Sequence, residues 1–136
     1  MISTIHTREI TFGDCDPAKI VFYPNTFRWM DASFHQLLRP FGGHDAVCKA
    51  LNSLGLGLVD AQAQFLSPMR DGDTLSLQVE VESWSTRSFT LGYVGHVSVL
   101  NVLVGREVRC LFQKTENGIV AGNVGGLKEM LEAERG

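Results

Sequence analysis

The chain has 136 residues, 44% of them apolar and 20% charged, and a formal net charge of −3. This is the length and balance of one globular domain with a core of its own. The acidic balance and the lack of a basic block exclude a nucleic-acid binder on electrostatic grounds, and no apolar run is long enough to span a membrane. Cys15, Cys48 and Cys110 are widely spaced and odd in number, which fits neither a disulfide framework nor a zinc motif. The N-terminus lacks the basic-then-apolar pattern of a secretory signal. A reduced, cytoplasmic setting is expected.

In chain order, Ser3 to Phe12 alternates and reads as a first strand. It leads into Gly13-Asp14-Cys15-Asp16-Pro17. Pro17 pushes Asp16 out of helical geometry and onto a loop. Ile20, Val21, Phe22 and Tyr23 form an apolar run that can wall such a loop off from water. Pro24-Asn25 then reads as a helix entry, with Asn25 as N-cap. The first-turn amides of a helix have no intrahelical partner, so an acid beside them suits chemistry on a polarised carbonyl. Asp16 can attack that carbonyl, or deprotonate a water that does. Against this, an Asp before Pro in a Gly-rich loop is more commonly a turn former. Asp14 reads as a solvated or turn-forming acid. Asp14 and Asp16 together have the chemistry for a hard cation, but no calcium-loop pattern follows. Two flanking acids make Cys15 a poor nucleophile.

The principal helix is expected from Asn25 to Phe41, with Phe27, Met30, Phe34, Leu37, Leu38 and Phe41 at helical spacing and Gly42-Gly43 as its stop. Trp29 and Asp31 lie off the centre of that stripe, towards a pocket or a partner subunit. A shorter helix with Asp45 as N-cap carries Ala46, Val47, Ala50, Leu51 and Leu54, and Gly55 ends it. From Leu56 the period becomes two. Strands are expected at 56–66, 75–81, 89–99 and 103–114, with a turn at Asn117-Gly118. Leu127 to Arg135 reads as a short exposed helix or a frayed end. One long helix followed by consecutive strands is an α+β pattern with an antiparallel sheet.

The run GDCDPAKIVFYPN, Gly13 to Asn25, followed by RWMDAS, Arg28 to Ser33, resembles the 4-hydroxybenzoyl-CoA thioesterase family. The resemblance is dense from Thr11 to Ala32 and thins towards Thr115. It implies a single hotdog domain over residues 1–136, with a five-stranded antiparallel sheet wrapped around a long central helix. It implies that Asp16 is the catalytic carboxylate and that the Tyr23 amide polarises the thioester carbonyl. Lys19 departs from the family, which often has glycine there.

For a CoA nucleotide, the family carries a basic cluster after a tryptophan. Here Ser83-Trp84-Ser85-Thr86-Arg87-Ser88-Phe89 keeps only Arg87. Arg70, Arg106, Arg109 and Lys114 are the other cations of the strand half, and arginine pairs with phosphate bidentately. Phe22, Trp29, Asp31, Arg87 and Ser88 are the expected substrate contacts. His6, His35, His44 and His96 show no metal or triad spacing. His35 reads as a satisfied core or interface residue. No Gly-x-Ser-x-Gly elbow occurs.

The expected activity is hydrolysis of an aromatic or short-chain acyl-CoA, with no metal or redox cofactor. The expected assembly is a homodimer that pairs into a homotetramer. The alternative is a hotdog module that holds acyl-CoA or an acyl carrier protein without turning it over.

Overall fold

The computed structural model of the chain describes residues 2–133. Six strands form one antiparallel sheet: β1 (Ser3–Glu9), β2 (Gly55–Phe65), β3 (Thr74–Trp84), β4 (Phe89–Val97), β5 (Leu100–Thr115) and β6 (Gly118–Gly122). The spatial order is β1-β3-β4-β5-β2, and β6 pairs with the far end of β5. The five expected strands are therefore present. The Asn117-Gly118 turn adds a short sixth, with Gly118 at φ 119. β1 pairs only with β3 and β2 only with β5, so these two end the main path of the sheet.

The sheet curls around α1 (Tyr23–Leu38). Met30, Phe34, Leu37 and Leu38 recur at helical spacing and are buried. They meet Leu75, Leu77 and Val79 of β3, Phe89, Leu91 and Tyr93 of β4, and Leu103 and Leu111 of β5 in one core cluster. The period-two strands supply one apolar face each, and the helix supplies the stripe that covers it. Helix and sheet approach closely at Gly105, where a Cβ would sit 2.8 Å from Met30 Cε.

Five expectations are corrected. α1 starts at Tyr23 with Phe22 as N-cap, and Asn25 lies inside it. Proline suits a first helical turn because its missing N–H takes nothing from the helix, so Pro24 opens the helix instead of preceding it. α1 ends at Leu38, and Arg39–Phe41 continue as a 3-10 turn around Pro40 before Gly42 and Gly43, at φ 97 and 92. The second helix, α2 (His44–Ala50), is capped by Gly43 and not by Asp45, and Leu54 is outside it. The last helix, α3 (Gly125–Ala133), is not an exposed tail: Leu127 and Leu131, four apart on one face, are fully buried. Glu134 and Arg135 lie outside the described residues. The first strand also stops at Glu9, and Phe12–Asp14 form a 3-10 turn.

Candidate functional site

The Asp16 loop is tied off by its own backbone. Cys15 bridges to Val21, Asp16 N–H donates to Ile20 O at 2.9 Å, and Lys19 N–H donates to Asp16 O at 2.8 Å. This tight return puts Lys19 in the left-handed region, φ 66, where a side chain is strained and glycine is not. The Asp16 carboxylate is half-buried, and its Oδ1 accepts from Ala18 N–H at 2.8 Å. Asp14 turns the other way. Its Oδ2 accepts from Thr11 N–H at 2.9 Å and from Thr11 Oγ1 at 3.2 Å, so it is a turn former. The two acids serve separate turns, and no metal-binding cluster of His, Cys, Asp or Glu occurs among the described residues.

The loop is stapled to the start of α1. Asp14 O accepts from Phe22 N–H at 2.9 Å and from Asn25 Nδ2 at 2.9 Å. Within the first turn, Pro24 has no donor and Asn25 N–H is used on Phe22 O at 3.0 Å. The Tyr23 N–H has no acceptor among the described residues. It is thus a free donor at the positive end of the helix.

Asp16 and Tyr23 line one cavity of about 380 Å³. Its other walls are Ile20, Val21 and Thr26 on the near side and, from the last residue of β2 onward, Phe65, Leu66, Ser67, Pro68 and Met69. Val21 N–H bonds Met69 O at 2.8 Å, which joins the two sides. The lining is mainly apolar with few polar groups, the usual make-up of a small-molecule site. Thr26 Oγ1 is buried without a partner.

The other expected contacts lie elsewhere. Phe22 is exposed, its ring edge-on to Tyr23 at 5.6 Å, and it does not line the cavity. Trp29 is buried in the core, with the Arg8 guanidinium 4.6 Å over its ring, so it has no access to the cavity. Arg87 is exposed and Ser88 half-buried in the β3–β4 turn. That turn is at the Trp84 end of β3, whereas the Asp16 loop adjoins the Thr74 end through Ile10 N–H on Asp73 O. An 11-residue strand separates them, about 30 Å. Arg87 and Asp16 of one chain cannot share a small ligand's reacting end.

Asp31 belongs to a different cluster. Arg109 Nη2 donates to its Oδ1 at 2.8 Å, and His35 Nε2 lies 3.5 Å from the same atom. Arg109 also donates to Glu107 Oε1 at 3.1 Å and to Leu56 O at 3.3 Å, while Tyr93 OH donates to Glu107 Oε1 at 2.6 Å. Arg109 is 3% exposed, so it is not among the free cations open to phosphate. Burial works against its charge, but Glu107 and Asp31 more than offset that and hold its pKa above the usual range. Burial, then Glu107, pushes the Tyr93 phenol well up. Burial lowers His35 despite Asp31.

The walls from Phe65 to Met69, Thr26, and the pair Tyr93–Glu107 were not singled out from the sequence. A signal existed for one of them: Glu107 and Arg109 are two apart on a strand whose same-face neighbours, Leu103, Gly105 and Leu111, are apolar or small. Charges at buried-face positions of a strand are seldom idle.

Residues 18–98 match the model of the thioesterase superfamily, a stretch that opens just after Asp16 and runs into the β4–β5 turn. The chain belongs to the thioesterase superfamily. This superfamily member is 30% identical over 122 residues to 4-hydroxybenzoyl-CoA thioesterase of Pseudomonas sp. strain CBS-3, covering 87% of this chain and 82% of that one. It is 28% identical over 108 residues to 1,4-dihydroxy-2-naphthoyl-CoA hydrolase of Prochlorococcus marinus subsp. pastoris, covering 76% and 72%. The solved structure of the Pseudomonas enzyme superposes with a TM-score of 0.84 at 25% identity, over 96% of this chain and 99% of that one. The hotdog fold, the 4-hydroxybenzoyl-CoA thioesterase resemblance and the enzyme class, thioester hydrolase, all hold.

Proposed function

We propose that this thioesterase hydrolyses the thioester of an aromatic or short-chain acyl-CoA, with Asp16 as the carboxylate that acts and the Tyr23 amide as the oxyanion donor. One observation carries the reading: Asp16 and Tyr23, whose N–H has no acceptor among the described residues, line the same largely apolar cavity. A thioester carbonyl between them has its oxygen at the helix end and its carbon open to attack. In the general-base form, Asp16 takes a proton from water as the water oxygen bonds to that carbon. The carbonyl electrons move onto oxygen, where the Tyr23 N–H holds them. Collapse breaks the C–S bond, and the proton on Asp16 goes to the leaving thiolate. In the nucleophilic form, an Asp16 oxygen bonds to the carbon and the C–S bond breaks to release the thiolate; water then adds to the Asp16 carbonyl of the anhydride, expels the free acid and gives its proton to the thiolate. A single turnover in ¹⁸O-labelled water separates the two, since only the second leaves label in the Asp16 carboxylate.

The same reading includes assembly. β2 is an 11-residue edge strand, and Leu58, Val59 and Phe65 on it are about half exposed or more. A long apolar open edge is a pairing surface, and a second copy joined through β2 covers it. Pairing of such dimers into a tetramer is how an Arg87 of one chain can meet the CoA held at another's Asp16. Sedimentation of the purified chain as a monomer at micromolar concentration would remove this part.

The binding-module alternative has one observation in its favour: Asp16 Oδ1 is already engaged by Ala18 N–H. Thiol release across a panel of acyl-CoAs decides it. The enzyme reading expects release with at least one aroyl or short acyl group. Tight binding without release from any of them would overturn it.

A further inference from the structure

A polar atom buried without a hydrogen-bond partner is uncommon, because it gives up water and gains nothing in exchange. Among the described residues, Arg8, Thr26 and Ser33 each carry one. Of these three, only Thr26 lines the cavity that Asp16 and Tyr23 share. A helical threonine can spend its hydroxyl on a carbonyl three or four residues back. Phe22 O, four back, is already taken by Asn25 N–H, and Thr26 Oγ1 bonds neither it nor Tyr23 O. Valine has nearly the same shape and would fill this place with no oxygen to satisfy. Packing therefore does not account for a threonine here, whereas a ligand in the cavity does.

Tyr23 is 60% exposed and Thr26 is fully buried, so the cavity opens at the first residue of α1 and deepens one turn further along it. A volume of about 380 Å³ holds an aroyl group but not CoA, which stays outside. With the thioester carbonyl oxygen on the Tyr23 N–H, the aroyl ring lies inward. Thr26 is three residues on, about 4.5 Å along the axis, and its Cβ slants back towards the helix start. Its side chain thus stands within one turn of the carbonyl oxygen. One step of χ1 exchanges its methyl and hydroxyl at the wall. A ring hydroxyl ortho to the carbonyl donates to the carbonyl oxygen at about 2.7 Å and leaves its own oxygen as an acceptor. The Thr26 hydroxyl is a donor within reach of that oxygen. A para hydroxyl is on the opposite side of the ring from the carbonyl, beyond a side chain one turn away. Ser67, the other hydroxyl of the wall, is half-buried and not among the unpartnered buried atoms.

We propose that Thr26 is a specificity-determining residue whose hydroxyl donates to an oxygen ortho to the thioester carbonyl, so that the acyl group is an aroyl hydroxylated next to the thioester. The proposal rests on the reading of this cavity as a thioester site. A substrate without that oxygen leaves the Thr26 hydroxyl as unpartnered as it is in the free chain, which is the source of the discrimination.

The test measures thiol release from benzoyl-CoA, 2-hydroxybenzoyl-CoA and 4-hydroxybenzoyl-CoA by the full chain. The wild type is expected to favour the 2-hydroxy substrate over benzoyl-CoA in kcat/KM. Thr26→Val exchanges the hydroxyl for a methyl and is expected to lower that ratio about tenfold, mainly through KM. The ratio of 4-hydroxybenzoyl-CoA to benzoyl-CoA is expected to hold in the same variant. Thr26→Ser keeps the hydroxyl and is expected to keep the ortho preference. The melting temperature of Thr26→Val is expected at or above that of the wild type, since no bond within the fold is lost. A lower melting temperature would give the hydroxyl a partner inside the protein and overturn the proposal. Equal losses on all three substrates, or a wild type without the ortho preference, overturn it too. Asp16→Asn, expected to abolish release from all three, tests the thioesterase reading by itself. On that variant the advantage in Kd of 2-hydroxybenzoyl-CoA over benzoyl-CoA is expected to fall about tenfold when Thr26→Val is added, which reads the Thr26 contact without turnover. An unchanged Kd ratio overturns the Thr26 assignment whatever the fate of Asp16.

Discussion

The Asp16 loop is assembled from near neighbours in the chain. Its hydrogen bonds join Thr11, Asp14, Asp16, Ala18, Ile20, Phe22 and Asn25, and the widest side-chain bond among them spans 11 positions. The Arg109 cluster is assembled from far ones: Arg109 and Asp31 are 78 positions apart, and Arg109 and Leu56 are 53. The first is half-exposed and holds a residue in a strained backbone region. The second is buried in the core except at Asp31, whose side chain is half-exposed. A half-exposed loop with a free donor loses little stability when a side chain changes, but its chemistry depends on one group. A buried ionic cluster behaves in the reverse way, because removing one member leaves another charged and unpaired.

The largest expected effect breaks the buried side of this contrast. Arg109→Met strands the Glu107 carboxylate and is expected to cost about 3–5 kcal/mol of stability, read by urea unfolding. Neutralising Glu107 as well should recover most of it. A single variant as stable as wild type would mean that the cluster is not an ionic unit. Next comes Asp16. Replacement by Asn or Ala should lower kcat by about 100-fold or more on the best thioester. The unfolding midpoint should barely move, because Asp16 makes one local side-chain bond. Near wild-type turnover in either variant would sink the assignment.

A smaller effect is expected at Lys19. Lys19→Gly relieves the positive φ and should stabilise the chain by up to about 1 kcal/mol. A loss of stability would show that the exposed lysine makes compensating contacts. The smallest effect is at His35, whose pKa burial lowers in the folded chain. Below its ordinary value of 6.5 the unfolded chain binds more protons there than the folded one, so stability is lost as pH falls from about 6.5 towards the folded-state value. His35→Gln should flatten the pH dependence of unfolding in that window. An unchanged slope would assign it to other groups.

Which of these features could be read from the chain follows from how far apart their parts are. The loop, the proline-opened helix and the alternating strands depend on contacts between close neighbours, and residue order alone carries those. Expectations slipped by a few residues wherever a backbone choice had rival solutions, as at Phe22 against Asn25 for the cap or Gly43 against Asp45. The tail was misread for a different reason. Leu127 and Leu131 are only a short apolar pair in the sequence, and they join the core cluster once the fold brings α3 against it, with Thr86 O accepting from Val124 N–H just before the helix.

What residue order determined by itself is the α+β framework, the superfamily motif and the juxtaposition of Asp16 with the start of a helix, since each is set by local dihedral preferences and by period. Tertiary structure alone decided that Arg109 is an internal tie and not a phosphate ligand, and that Trp29 belongs to the core. It also decided that the cavity is closed by Phe65 to Met69 and that Arg87 is a strand's length away from Asp16. These are facts about which distant strands end up adjacent. The free energy that brings them together is mostly non-directional burial of apolar surface, and the pairing it selects is a property of the whole packed sheet.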